Sequence, residues 1–180
     1  MMKKRLLCAL LLLALALSLL PTVALADDAY TAGTAEELQS LLGQRKTPIK
    51  LTDNINLKGQ PLTISGGNIT IDMDGHTIFG GNLIVDVRET RPLNLTGEGV
   101  IDCPATLNGK IQGDATFRQD VVLNPNDACV IEGCSFFGKV TQKSTSGGTN
   151  TINGGTFYGE VDLIGAYDTK IQGGVFYKNV

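Results

Sequence analysis

A short motif that recurs about every twenty residues constrains the fold of this chain more than any other feature. The motif is an aliphatic residue or Met, any residue, a glycine, and then a mostly apolar pair three and four positions after the glycine. The glycine-to-glycine steps are 16, 22, 16, 20, 21 and 19 residues. Such a period predicts a solenoid that adds one coil per repeat. The aligned glycines are Gly59, Gly75, Gly97, Gly113, Gly133, Gly154 and Gly173.

Two columns of the aligned repeats predict the core. The position two before the glycine is apolar in every copy, from Leu57 to Ile171. The position three after it is apolar in all copies but one, and it holds Phe136, Phe157 and Phe176 in consecutive coils. Because coils stack at the strand spacing of about 4.8 Å, these rings are expected to stack inside the solenoid. The residue before the glycine is polar in every copy, which indicates a solvent-facing position.

The position four after the glycine holds the candidate ligand-binding residues. It reads Phe117, Phe137, Tyr158 and Tyr177 in the last four coils. If the preceding position points inward, alternation along a strand turns this one outward. An exposed aromatic file would form a flat platform for carbohydrate rings or a partner protein. The alternative is that both positions are buried around the corner or covered by a further segment of chain.

The first 26 residues have the organisation of a secretory signal peptide. Three basic residues precede an apolar run over residues 6–20, and Ala24-Leu25-Ala26 supplies a small-residue cleavage site. The run is short for a membrane anchor. We therefore expect a secreted or cell-surface protein with no membrane span after signal removal.

Residues 27–48 separate the signal from the solenoid, which we expect over residues 49–180. Thr34 and Glu37 have the spacing of a capping box, and three leucines follow on one helical face. This pattern predicts a short helix over about residues 35–42 that covers the open apolar end of the first coil. No comparable cap precedes Val180. We expect either a continuing solenoid or docking of the last coil, including end-to-end self-association.

Charge and cysteine content exclude several partners. The net charge is −3 from 15 basic and 18 acidic residues, and removing the three basic signal residues gives 12 − 18 = −6. Mild acidity without a basic stripe argues against nucleic acid as a partner. Cys103, Cys129 and Cys134 are odd in number and share no column, so they predict buried free thiols rather than a disulfide framework or a zinc site.

The acidic residues do not form the close group of carboxylates that a catalytic site on a solenoid requires. The densest acidic spot is Asp72 with Asp74, two apart on one predicted strand. A weak Ca²⁺ or sugar contact there is the alternative to a solvated strand face. The single histidine, His76, has no orienting acid in the alignment. We identify no catalytic residue and expect no cofactor other than Ca²⁺ at Asp72 and Asp74.

Residues 69–78 (ITIDMDGHTI) and 93–102 (LNLTGEGVID) resemble coils of the pectate-lyase-like superfamily. The resemblance covers roughly residues 49–180 and is strongest to secreted bacterial surface or adhesin-type proteins of this superfamily. It implies an all-β fold, a right-handed parallel β-helix of about six to seven coils. The second segment is also similar to the Gly-x-Gly-x-Ile-Asp coil of polygalacturonases. The aspartate pair, Gly-His-Gly and Arg-x-Lys motifs of those enzymes are absent, so the resemblance gives Asp102 a structural role.

Two functions from different classes remain open. The first is a secreted, non-catalytic surface or adhesion module that binds an extracellular glycan or a surface protein. The alternative is the leading part of a polysaccharide lyase or glycoside hydrolase whose catalytic coils follow residue 180. Coil-building residues indicate a fold and leave the activity undecided.

Overall fold

A computed structural model describes residues 29–124, 128–142, 149–163 and 168–180 of the 180-residue chain. These residues form an all-β parallel solenoid of about six turns with one short helix near its N-terminal end, which confirms the predicted fold class. The predicted signal peptide, residues 1–26, lies outside the described residues. Within the described ranges no helix has the length and apolar character needed to cross a membrane.

The elements are short because each coil turns a corner every few residues. In chain order they are β1 (Tyr30–Ala32), α1 (Ala35–Gly43), β2 (Ile49–Leu51), β3 (Ile55–Asn56), β4 (Pro61–Ser65), β5 (Ile69–Asp72), β6 (Thr77–Phe79), β7 (Asn82–Asp86), β8 (Leu93–Thr96), β9 (Val100–Asp102), β10 (Ala105–Phe117), β11 (Val121–Leu123), β12 (Ala128–Phe136), β13 (Val140–Gln142), β14 (Thr149–Ile152), β15 (Thr156–Phe157), β16 (Val161–Asp162), β17 (Asp168–Ile171) and β18 (Val175–Phe176).

Equivalent strands of successive coils pair in parallel and form three faces. The first face contains β1, β2, β5, β8, the middle of β10, the start of β12, β14 and β17. The second contains β3, β6, β9, the ends of β10 and β12, β15 and β18. The third contains β4, β7, the start of β10, β11, β13 and β16. Strand β10 therefore bends through all three faces.

The core consists of inward-facing side chains stacked in columns, one above another along the solenoid. On the second face, four phenylalanine rings stack with centroid separations of 5.0, 4.9 and 4.8 Å, close to the strand spacing. The first-face column is Ile69, Leu93, Ile111, Ile131, Ile152 and Ile171. The second-face column is Ile55, Ile78, Ile101, Phe117, Phe136, Phe157 and Phe176. The third-face column is Leu62, Leu83, Ala105, Val121, Val140 and Val161.

The glycine alignment is correct in the last coils and wrong in the earlier ones. Ile111 pairs with Leu93, two residues before the alignment's Leu95. The cause is a connection of changing length between the first and second faces. Ile69 and Ile78 are nine positions apart, with Ile71 and Met73 also buried between them, whereas Ile131 and Phe136 are only five positions apart. A register anchored on the corner glycine therefore slips wherever the corner shortens.

Gly59, the first glycine of the alignment, occupies a different corner. It lies between the second and third faces, where its N–H is hydrogen-bonded to the carbonyl oxygen of Gly80. The preceding Leu57 is buried, as predicted, but it follows strand β3 of the second face. In the first predicted repeat, Leu57 is therefore a core residue as expected, but it does not lie in the same column as the corresponding residues of the later repeats.

Helix α1 covers the N-terminal end of the solenoid. The predicted capping box is present, because Thr34 Oγ1 accepts from the Glu37 N–H and the Glu37 carboxylate accepts from the Thr34 N–H. Leu38 is fully buried. The Gln39 side-chain amide both donates to the carbonyl of Thr63 (3.4 Å) and accepts from its N–H (3.2 Å), so it satisfies backbone groups at the edge of strand β4.

Strand β1 covers the corresponding edge of the first face. Its residues Tyr30–Ala32 pair in parallel with Ile49–Leu51 of β2. The sequence did not predict this strand, since it carries no copy of the repeat motif. Together α1 and β1 cover the first-coil edges of the third and first faces, which would otherwise be exposed to solvent.

Candidate ligand-binding site

The outward position of the second face holds a file of stacked aromatic rings. Phe137, Tyr158 and Tyr177 each follow a ring of the inward column, and strand alternation turns them to the outside. Their exposed fractions are 52%, 37% and 64%. Ring centroids are 4.4 Å apart from Phe137 to Tyr158 and 4.8 Å apart from Tyr158 to Tyr177. The structure therefore places these three predicted residues side by side on the surface.

The rings of this file contact one another through their faces. The interplanar angles are 22° for Phe137 with Tyr158 and 6° for Tyr158 with Tyr177. In a face-to-face stack each ring covers the facing side of its neighbour, so ring edges are the main surface available for contact. The expected flat platform is thus a row of ring edges, and on the side away from Tyr158 the Phe137 ring borders the coil of Phe117 and Arg118.

Phe117 does not belong to the exposed file. It is fully buried, and it pairs with Phe136 in the inward column. The physical reason is an irregularity in β10: Phe117 is four positions after Gly113, whereas Phe136 is three positions after Gly133, and the register shifts by one between Gly113 and Thr116. The extra residue moves Phe117 from the surface to the core.

Arg118 takes the outward place that the alignment assigned to Phe117. It follows Phe117 directly, and the Phe137 N–H is hydrogen-bonded to the carbonyl of Phe117 in the coil before it. Arg118 and Phe137 line a shallow groove of about 500 Å³, with Val100 and Thr116 as its other lining residues. Arg118 forms no ion pair with any described residue. The residues that line the groove thus include an aromatic ring, a guanidinium and a hydroxyl.

Sequence reasoning missed Arg118 and Thr116, although a signal for them exists. The inward third-face valines Val121, Val140 and Val161 pair in register. Counting back four residues from each valine reaches the buried phenylalanine, and counting back three reaches Arg118, Phe137 and Tyr158. An alignment anchored on the valines would have placed Arg118 in the outward file.

Of the two predicted Ca²⁺ residues, Asp72 ends strand β5 of the first face, whereas Asp74 lies in the turn after it with a φ of 46°. The two residues therefore do not share one strand, as the sequence had predicted. Asp72 Oδ1 accepts a hydrogen bond from the Asp74 N–H (3.1 Å), and Asp74 Oδ2 lies 3.0 Å from Lys50 Nζ. The hydrogen bond and charge of Asp74 raise the pKa of Lys50. Within the described ranges, no group of three His, Cys, Asp or Glu side chains is arranged to hold a metal. The Ca²⁺ contact remains a prediction.

The three cysteines among the described residues are buried free thiols, as predicted. Their exposed fractions are at most 5%, and none forms a disulfide. Burial raises the pKa to about 11 for Cys103, about 12 for Cys129 and about 12 for Cys134. Because the thiolate is the nucleophilic form, these thiols are protonated and inert at neutral pH. They belong to the core and contribute no candidate nucleophile.

The comparisons with known proteins add no further assignment. No protein-family model, curated protein or solved structure gives a significant match to this chain. The structure shows a parallel β-solenoid. Because a fold alone does not determine function, the chemistry of the solenoid faces carries the functional argument.

Proposed function

We propose that this chain is a secreted, non-catalytic surface or adhesion module that binds an extracellular glycan on its second face. The observation that carries the proposal is the groove that Phe137 and Arg118 line together. The resemblance to β-helix proteins of the pectate-lyase-like superfamily, and to their adhesin-type members, supports the same proposal.

The groove offers the two kinds of contact that sugars use. The apolar C–H face of a pyranose ring packs against an aromatic face, while its hydroxyls accept or donate hydrogen bonds at the ring edge. Phe137 would supply the aromatic face, and the Arg118 guanidinium and Thr116 hydroxyl would supply polar partners. Tyr158 and Tyr177 would extend the contact along the solenoid through ring edges and hydroxyls.

The lining of the groove favours binding over hydrolysis. A glycosidase needs two carboxyl groups about 5 to 9.5 Å apart. The described lining consists of Val100, Thr116, Arg118 and Phe137, and none of these carries a carboxylate. The groove therefore supports a binding role, and an assay for turnover tests the enzymatic alternative.

Glycan-array binding tests the proposal with matched substitutions. We expect Phe137→Ala and Arg118→Gln each to weaken binding about tenfold or more, since each removes a central contact. Tyr158→Ala and Tyr177→Ala should weaken it less. The control is Ile84→Ala, which removes a 38% exposed apolar side chain from the third face.

Two results would contradict this proposal. Unchanged glycan binding by folded Phe137→Ala and Arg118→Gln proteins would exclude the groove as the site. Measurable cleavage of pectin or a related polysaccharide by the purified chain would instead support the lyase or hydrolase alternative. Circular dichroism of every variant confirms that the fold is retained.

A further inference from the structure

A polar cavity of about 210 Å³ lies where the third face turns into the first, near the capped end of the solenoid. Its lining includes Arg45, Arg88 and Arg91, which are three of the chain's five arginines. The corner over residues 65–68 forms the other wall. This cavity is separate from the groove beside Phe137, and neither the repeat motif nor the proposed function accounts for it.

Backbone contacts position the three arginines at this cavity. Arg45 follows α1, and its N–H donates to the carbonyl of Leu42 (3.0 Å). Arg88 and Arg91 belong to the connection between β7 and β8, where the Arg91 N–H donates to the Arg88 carbonyl (3.1 Å). A Cβ at Gly67 would overlap both the carbonyl oxygen and the Cβ of Arg91. Glycine at this position therefore allows Arg91 to pack directly against the corner.

The charge of the cluster is uncompensated by the described part of the chain. No described carboxylate forms an ion pair with any of the three guanidiniums. Glu89, in the same connection, lines a neighbouring cavity rather than this one. Arg45, Arg88 and Arg91 bring three like charges to one small cavity, and a bound anion would offset their mutual repulsion.

Unused backbone donors lie at the same corner. The N–H groups of Gly67 and Asn68 donate to no acceptor among the described residues, whereas those of Gly66 and Ile69 donate to backbone carbonyls. Successive backbone N–H groups at a turn with positive φ are a recurrent anion-binding arrangement. Gly67 and Asn68 have φ values of 121° and 54°.

We propose that this cavity binds a tetrahedral oxyanion, a sulfate or phosphate group. A planar carboxylate is satisfied by one bidentate guanidinium, whereas three guanidiniums from two segments, the loop after α1 and the β7–β8 connection, suit an anion that presents oxygens in several directions. The cavity has room for one such group. The group can come from a sulfated or a phosphate-bearing ligand, and the shared chemistry is the oxyanion.

Isothermal titration with sodium sulfate and with sodium phosphate, at constant ionic strength set by sodium chloride, tests the proposal. Wild-type protein should show saturable binding of at least one of the two anions. Arg91→Gln and Arg88→Gln should each weaken it about tenfold or more, because each removes a charge-assisted hydrogen bond. Preference for one anion over the other identifies the class of the ligand.

The controls separate specific binding from general effects of charge and folding. Lys58→Gln removes the same charge from a side chain that does not line the cavity, and it should leave the dissociation constant unchanged. Arg45→Gln, on the exposed loop after α1, provides a second test if either substitution near β8 disturbs folding. Absence of saturable binding, or equal binding by the folded arginine variants, would overturn the proposal.

Discussion

On the second face, neighbouring residues of one strand have opposite roles. Phe136 is buried in the aromatic column, and Phe137, one residue later, is 52% exposed in the outward file. Phe117 and Arg118 repeat this pair one coil earlier. Because strand side chains alternate, a shift of one residue exchanges the core position with the site position. The extra residue in β10 therefore decides that an arginine, rather than a ring, lies next to Phe137.

The burial of Phe117 predicts a large effect on stability. We expect Phe117→Ala to lower the free energy of unfolding by about 3–5 kcal/mol, because it removes a buried ring and leaves a cavity. Phe137→Ala removes the same atoms from an exposed position and should lower it by less than about 1 kcal/mol. Urea unfolding followed by circular dichroism measures both. Equal losses would mean that Phe117 is not in the core.

The outward and inward residues of the later coils were predictable because the corner between the first and second faces has the same length in each of those coils. Ile131 to Phe136, Ile152 to Phe157 and Ile171 to Phe176 each span five residues, so one alignment serves all three coils. The position of Phe117 was not predictable from the glycines, since its corner contains one more residue. Tertiary pairing, which the sequence does not state, sets that register.

Among the elements, α1 was predictable and β1 was not, for a local reason. The capping box of α1 needs only Thr34 and Glu37, which lie three residues apart. Strand β1 has only three residues, and its partner β2 comes after the whole of α1 in the sequence. One sequence shows information confined to a few neighbouring residues and pairing between copies of a repeat, but it does not show the pairing of a strand outside the repeat.

The capping box makes the stability of α1 depend on pH. Hydrogen bonds from the N–H groups of Gly33 and Thr34 lower the pKa of Glu37. A lowered carboxyl pKa stabilises the fold at neutral pH, and this contribution is lost as the pH falls from the unfolded value of about 4.3 through the folded pKa. We expect the stability difference between wild type and Glu37→Gln to shrink toward acid pH.

Chemical unfolding at a series of pH values between about 7 and 3 measures that difference. The control is Glu98→Gln, at an exposed corner residue whose carboxylate accepts no hydrogen bond from a described residue. Its stability difference from wild type should stay nearly constant. A Glu37→Gln difference that grows on acidification would contradict the assigned role of the carboxylate.

The pairing of β8 with β10 depends on a glycine. Gly113 is opposite Leu95, its φ is 127°, and a Cβ there would overlap the Leu95 carbonyl oxygen. Gly59 has a φ of 79°, but a Cβ added at this position would meet no heavy atom within 4 Å. Gly113→Ala thus adds a collision to backbone strain, whereas Gly59→Ala adds strain alone.

We expect Gly113→Ala to lower the free energy of unfolding by about 2–5 kcal/mol, and Gly59→Ala by about 1–2 kcal/mol. Thermal and urea unfolding of the two variants, compared with wild type, measure the losses. If Gly59→Ala were the more damaging substitution, close coil packing would not be the reason for glycine at position 113.

At the scale of the whole molecule, the solenoid separates different chemistries onto different faces. The second face carries the aromatic file, and the corner between the third and first faces carries the arginine cavity. Polar side chains connect neighbouring coils across the first face, where Asn94 Nδ2 donates to Thr70 Oγ1 (3.2 Å) and Gln112 Nε2 donates to Asn94 Oδ1. The backbone thus repeats from coil to coil, whereas the side chains on its surface repeat only in part.

Contacts between adjacent coils predict that energetic coupling extends mainly to the nearest neighbour. The rings of Phe136 and Phe157 are 4.9 Å apart with an interplanar angle of 7°, whereas two coils intervene between Phe117 and Phe176. A double-mutant cycle with leucine substitutions should give a coupling energy of about 0.5–1.5 kcal/mol for the adjacent pair. The distant pair should be additive within about 0.3–0.5 kcal/mol. Strong coupling of Phe117 with Phe176 would show instead that the aromatic column responds as one rigid unit rather than coil by coil.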